Sequence, residues 1–242
     1  MKIISFYSHK GGVTKTTSTI LSATNLTKHF KKKLAIVDCD EGQWSTYSLY
    51  EKKRAELEEE YSEEEIDQRE KKGDLVFYPV VKAYINSSYE TEDSASIDDV
   101  IKHFQDQKLD YLFLDFGNRS LDSVLDTFKK VDYFFIPFSR DEEEILNALK
   151  TNYFFNQNLP STKSYLFMTK LSKSSSELQF LDFIRDQIKD QGFEMLKQPV
   201  LSRQKYIFDN RSFFKPMTNK EDKEENEYSF IKFINELKNK IK

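Results

Sequence analysis

The chain opens on an apolar stretch, Lys2-Ile3-Ile4-Ser5-Phe6-Tyr7, followed by a turn, Ser8-His9-Lys10-Gly11-Gly12-Val13-Thr14, and then Lys15-Thr16-Thr17 at the head of a helical pattern. A short strand, a glycine-bearing turn and a helix in that order make a cradle for phosphate. Gly11 and Gly12 let the backbone wrap closely, so that successive N–H groups point at phosphate oxygens. The helix opening near Thr16 adds the positive end of its dipole. Lys15 brings a point charge for the β- and γ-phosphates, and the Thr16 hydroxyl is placed to ligate Mg²⁺. Gly11, Gly12, Val13, Thr14, Lys15, Thr16 and Thr17 are therefore the candidate phosphate-holding residues.

Apolar runs alternate with helical patterns along the rest of the chain. The runs predict strands at 2–7, 34–38, 75–81, 111–115, 132–137, 164–169 and 195–200. Helices are predicted at 15–30, 97–106, 119–130, 141–155, 175–191 and 226–241. This alternation predicts an α/β fold, a doubly wound and mostly parallel sheet flanked by helices, with ligands at the carboxyl ends of the strands. Residues 51–72 are densely charged, with Leu57, Tyr61 and Ile66 as anchors, and read as a solvated helix or mobile insertion, or as a partner-docking helix. With no repeat or linker, residues 1–242 read as one domain carrying that insertion.

Composition narrows the function. A net charge of −4 gives no overall attraction to nucleic acid, so DNA binding would need a local basic patch. Cys39 is the single cysteine, which excludes an internal disulfide and fits a reducing cytoplasm. No apolar signal segment stands at the N-terminus, and no run approaches the ~20 residues needed to span a bilayer. The expectation is a soluble, cytoplasmic protein. His9, His29 and His103 are scattered without metal-ligand spacing.

Two predicted strands end in acids. Leu34-Ala35-Ile36-Val37 leads into Asp38-Cys39-Asp40, whose carboxylates at i and i+2 leave one side of an extended chain. Tyr111-Leu112-Phe113-Leu114 leads into Asp115, a pattern in which the acid reaches Mg²⁺, usually through water. Asp115-Phe116-Gly117 also spells a kinase motif, but none of the accompanying kinase sequences is present.

The usual phosphate-loop spacing fails, because its glycine positions fall on His9 and Thr14. Lys-Gly-Gly-x-x-Lys-Thr-Thr over residues 10–17 instead resembles the deviant Walker A box of the ParA/MinD family of P-loop ATPases (SIMIBI type), in which Gly is commonest at the Thr14 position. Residues 38–43 resemble that family's Asp-x-Asp-Pro-Gln box, with Glu41-Gly42-Gln43 departing from it. Asp115 matches its Walker B acid, commonly followed by one residue and two prolines where this chain has Phe116-Gly117-Asn118. Residues 201–216 are similar to the segment near the adenine pocket, and bring Arg203 to the nucleotide.

The resemblance implies ATP and Mg²⁺ as cofactors, and slow, partner-stimulated hydrolysis. Asp38 would support the metal site, with Thr16 and Asp115 as its other members. Asp40 would orient or activate the attacking water. Lys10 would cross to a second subunit, acting with Lys15 on charge that develops in phosphoryl transfer. The implied role is DNA partitioning by a homodimer formed on ATP binding, with a ParB-type adaptor and non-specific DNA as partners. Arg185, Lys189, Lys197, Arg203, Lys205, Arg211 and Lys215 are either a DNA-facing group or a dispersed solvated surface. A MinD-like membrane-cycling ATPase is the alternative, its terminal stripe Phe230, Ile234, Leu237 and Ile241 being either a membrane-surface helix or one packed on the sheet. A nitrogenase-reductase-like carrier needs two cysteines per subunit, and a dethiobiotin-synthetase-like ligase would not explain Lys10.

Overall fold

A computed structural model describes residues 1–117, 119, 121, 124–172, 174–201, 213–216 and 229–241. Its central strands are β1 (Lys2–Phe6), β2 (Leu34–Asp38), β5 (Tyr111–Asp115), β6 (Tyr133–Phe138) and β7 (Lys163–Leu171). Toward the edges lie β3 (Val80–Tyr84), β4 (Ser94–Ser96) and β8 (Val200–Leu201). All pair in parallel in one eight-stranded sheet, in the order β4-β3-β2-β5-β1-β6-β7-β8.

Period-two alternation explains why both faces are covered. Ile4, Phe6, Ile36, Phe113, Phe135 and Phe167 point to one apolar layer. That layer also takes residues of α1 (Lys15–Phe30), α2 (Ser45–Glu60) and a C-terminal helix, α8 (Phe230–Lys240). Ile3, Tyr7, Val37, Leu114, Ile136 and Met168 point the other way. There they meet α4 (Ile97–Asp106), α5 (Leu125–Phe128), α6 (Glu142–Asn158) and α7 (Ser175–Asp190). Among the described residues no helix is long and apolar enough to cross a membrane.

The structure moves several predicted elements. The strand expected at 75–81 begins at Val80, because Pro79 has no N–H to give a ladder and only its carbonyl joins in, accepting from Ile36 at 2.9 Å. Pro199 does the same to the strand expected at 195–200, leaving β8 with two residues and an isolated bridge from Leu166 to Met195. Of the helix expected at 119–130, the described part is only Leu125–Phe128. Residues 226–228 of the predicted last helix lie outside the described residues. The edge strand β4 and a 3₁₀ turn at Ser87–Tyr89 were not legible, since neither carries an apolar run.

The charged segment is helical except at Tyr61 and Ser62. α2 starts well before it, and α3 (Glu63–Lys72) follows after one turn. α3 buries no residue, yet a capping box closes its start: the Glu65 amide donates to the Ser62 hydroxyl, and the Ser62 amide to the Glu65 carboxylate. Leu57 is 4 % exposed in the layer under α2, with Tyr61 and Ile66 packed against it. The segment is thus attached through a few apolar teeth. Leu57→Ala should lower unfolding free energy by about 2–4 kcal/mol in urea titrations. An unchanged midpoint would mean that α2 and α3 are a solvated appendage.

Candidate active site

The phosphate turn joins β1 to α1 and is shaped by two left-handed residues. Gly12 has φ 74°, and a Cβ there would meet nothing within 4 Å, so glycine serves backbone sign rather than space. Thr14 is the N-cap of α1 at φ 70°, ψ 16°, and its side chain makes no capping bond. A β-branched residue in that region is strained by roughly 1–2 kcal/mol. This is why glycine is commonest there in the resembled motif. Val13 is buried beneath the turn, while Gly11 and Gly12 are exposed.

Four other helices start differently. Ser96, Asp141, Ser174 and Ser229 each cap their own helix by accepting a backbone N–H in its first turn. The first turn of α1 has no side-chain cap, which suits an anion supplied by a ligand. Beside it the Lys15 ammonium is buried and donates to the Lys10 carbonyl at 3.1 Å. Burial draws its pKa below the ordinary lysine value, against the pull of Asp115 and Asp40.

The acids meet this turn at the strand ends. Asp38 and Asp115 are register partners across β2 and β5. One Asp115 oxygen, Oδ2, accepts from both the Thr16 and the Thr46 hydroxyls, each at 2.7 Å. Its other oxygen, Oδ1, is buried without a hydrogen-bond partner. That spare oxygen beside the Thr16 hydroxyl suits Mg²⁺, which takes one or two protein oxygens and draws the rest from phosphates and water. Among the described residues no group of three His, Cys, Asp or Glu could hold a metal.

Asp38 is held by three backbone amides. Its Oδ1 accepts from the Asp40 amide at 2.9 Å, and its Oδ2 from the Thr46 and Tyr47 amides at 2.8 and 2.9 Å. It therefore serves as a remote cap for α2, whose own N-cap, Trp44, offers no side-chain oxygen. Burial pushes its carboxyl up to about 7; the Tyr47 and Asp40 amide bonds oppose this, and the charges of Asp115 and Asp40 reinforce it.

Asp40 is half-buried and lies against the turn that leaves β5. Gly117 sits there at φ 59°, and a Cβ on it would collide with the Asp40 carboxyl. Burial and then the Asp115 charge raise the Asp40 pKa, while the Arg119 guanidinium lowers it. Arg119 also pairs with the buried Glu41 carboxylate. Neither Glu41 nor Arg119 was singled out by the sequence for a role, although Glu41 departs from the resembled Asp-x-Asp-Pro-Gln box.

Lys10 stands on the rim. Its ammonium is held by Asp141 at 3.2 Å and Glu143 at 3.1 Å, at the start of α6, and those two hydrogen bonds raise its pKa. Thr17 is half-buried in the first turn of α1, and Arg203 lies outside the described residues. A surface groove of about 440 Å³ lined by Lys28, Lys31, Lys32, Lys33 and Phe77 lies at the opposite ends of the strands, away from these acids.

Two outcomes follow from this geometry. Thr14→Gly should keep nucleotide affinity and gain about 1 kcal/mol in urea unfolding, the relief of strain exceeding the added chain entropy; a loss would show that Thr14 is not strained. Asp38 titrates near ~3.9 when unfolded and near 7 when folded. The folded state thus holds the extra proton between those values. Stability from Asp38 is full below about pH 4 and is lost as pH rises through about 7, by at most ~1.4 kcal/mol per pH unit. Without nucleotide or Mg²⁺, the wild type should lose stability relative to Asp38→Asn over that window. Parallel pH curves would refute it.

The geometry has counterparts among known proteins. A family model described as an AAA domain (AAA_31) matches residues 1–153. No curated protein sequence matches. A plasmid partition protein from Borrelia burgdorferi is 23 % identical over 88 % of this chain and 95 % of that one, with a TM-score of 0.55. A second, from Borrelia burgdorferi B31 and bound to AMPPNP, is 22 % identical over 86 % and 90 %, with a TM-score of 0.56. The MinC:MinD cell division protein complex of Aquifex aeolicus is 16 % identical over 87 % and 86 %, with a TM-score of 0.58. The eight parallel strands, the turn at residues 10–17 and the matched model agree: the chain belongs to the AAA-domain family of ParA/MinD-type deviant Walker A ATPases.

Proposed function

We infer that this chain is a ParA-like switch for DNA partitioning, which dimerises on binding ATP with Mg²⁺ and separates after hydrolysis to ADP and phosphate. The observation that carries this reading is the uncapped first turn of α1 facing an Asp115 carboxylate with one oxygen to spare. Residues 11–17 would hold the triphosphate, with Lys15 against its charge. Thr16 and Asp115 would hold Mg²⁺, which would supply positive charge against the phosphates. Asp40 orients the attacking water, and Asp38 fixes the loop on which Asp40 sits.

Lys10 acts in trans. It lies outside its own cradle on exposed carboxylates, where a second subunit's phosphates could recruit it. Partition as the cargo role is supported by the names of the Borrelia neighbours. The burial of Phe230, Ile234, Leu237 and Ile241 supports a terminal helix packed on the sheet over the membrane-surface helix of the membrane-cycling alternative. Of the basic group, Arg185 is engaged by Asp182 and the Lys197 carbonyl, and Lys215 by Glu60. Lys189 and Lys197 are exposed, and Arg203, Lys205 and Arg211 lie outside the described residues. A ParB-type adaptor would supply the stimulating partner.

The test is dimerisation, ATP turnover and DNA retention with ATP, ADP or no nucleotide. Lys10→Ala should abolish both turnover and the ATP-dependent dimer, and Asp40→Ala should trap the dimer. Normal hydrolysis by Lys10→Ala would end the cross-subunit role. ATP-dependent binding to liposomes instead of DNA would favour the membrane-cycling reading.

A further inference from the structure

The loop that carries Asp40 and the loop that leaves β5 are joined by a buried ion pair. The Glu41 side chain is fully buried and faces the Arg119 guanidinium, itself 20 % exposed. The same carboxylate accepts from the Asn86 amide at 2.6 Å and from the Ile85 amide. Arg119 is fixed again through its backbone, where its carbonyl accepts from the Tyr7 hydroxyl at 2.6 Å. Its guanidinium lies 5.7 Å from the centre of the Tyr89 ring, and that ring also packs against Gly42, 3.5 Å from where a Cβ would stand.

Three strand ends are thereby tied to one arginine: β1 through Tyr7, β2 through Glu41, and β3 through the Ile85 and Asn86 amides. Gly117, two residues before Arg119, supplies the surface on which the Asp40 carboxyl rests. A displacement of either loop moves Asp40 relative to Thr16 and Asp115.

We propose that Arg119 is a positioning residue for hydrolysis: through Glu41 it clamps the Asp40 loop to the loop leaving β5, holding Asp40 at the reacting phosphate. This rests on the ATPase reading above and on the role given there to Asp40. Glu41 stands where the resembled Asp-x-Asp-Pro-Gln box carries proline, so its ion pair with Arg119 would supply the stiffness that ring closure supplies elsewhere. Arg119 need not touch the nucleotide to act. Misplacing a reacting group by about 1 Å is enough to cost on the order of a hundredfold in rate.

The test measures turnover, AMPPNP affinity by calorimetry, and thermal midpoint on the full chain, for the wild type, Arg119→Met, Arg119→Lys and Glu41→Gln. Glu41→Gln keeps an acceptor for the Ile85 and Asn86 amides, and so tests the clamp even if Arg119→Met does not fold. The expected result is a kcat lowered about tenfold to a hundredfold in Arg119→Met and Glu41→Gln. AMPPNP affinity should stay within about threefold. Arg119→Lys should recover most of the lost rate, and Glu41→Gln with Arg119→Met should be no slower than Arg119→Met alone. Unchanged kcat in Glu41→Gln, affinity falling in step with rate, or an Arg119→Lys as slow as Arg119→Met would overturn it. A wild type without turnover, or an Asp40→Ala that hydrolyses normally, would instead sink the reading of the site on which this rests.

Discussion

A single carboxylate oxygen joins the three elements around the site. Asp115 Oδ2 takes one hydroxyl from the first turn of α1 and another from the first turn of α2, at the end of the strand that lies between β1 and β2. Each hydroxyl is buried or half-buried, so losing the shared acceptor would leave two donors unsatisfied at about 1–3 kcal/mol each. The cradle, the Asp40 loop and the spare Oδ1 are all located relative to this point. An acid here therefore has a structural task even before any nucleotide arrives.

The two helices that meet at Asp115 begin alike and are completed differently. Both have a left-handed N-cap, Thr14 at φ 70° and Trp44 at φ 47°, with no side-chain cap of its own. For α2 the missing oxygen comes from Asp38, which fills two first-turn amides from the end of β2. For α1 no side chain fills that place. The same local geometry is thus satisfied by protein in one case and offered to a ligand in the other. The longer helices α3, α4, α6, α7 and α8 each carry an ordinary Ser or Asp cap, so among helices of ten residues or more the omission falls on the two that meet at Asp115.

Much of this was legible because it rests on local pattern. The doubly wound sheet follows from apolar strands separated by amphipathic helices, and Lys15, Thr16, Asp38, Asp40 and Asp115 all lie at strand ends or helix starts that the pattern locates. What escaped rests on partners distant in sequence or on groups that propensity does not weigh. The start of α2 was hidden because its cap lies on β2 rather than at position 44. The late start of β3 came from one missing N–H at Pro79, inside a run that otherwise reads as strand. The three amide donors to Asp38 escaped because charge is visible in a sequence and such backbone partners are not. Glu41 and Arg119 are far apart along the chain and meet only once β2 and β5 lie side by side.

Lys10 illustrates how a weak contact can be the useful one. Its partners, Asp141 and Glu143, have side chains 51 % and 73 % exposed, so water screens the attraction and the lysine is held in place without being trapped. Asp141 also caps α6 by accepting the Glu144 amide at 2.9 Å, and keeps that bond whichever way Lys10 points. The helix thus loses nothing structural when the lysine leaves. In the proposed dimer a triphosphate would concentrate more negative charge than two solvated carboxylates and would sit at a low-dielectric seam. Had Lys10 been buried with its acids, release would have required exposing an unpaired charge, and exchange between subunits would have been closed to it.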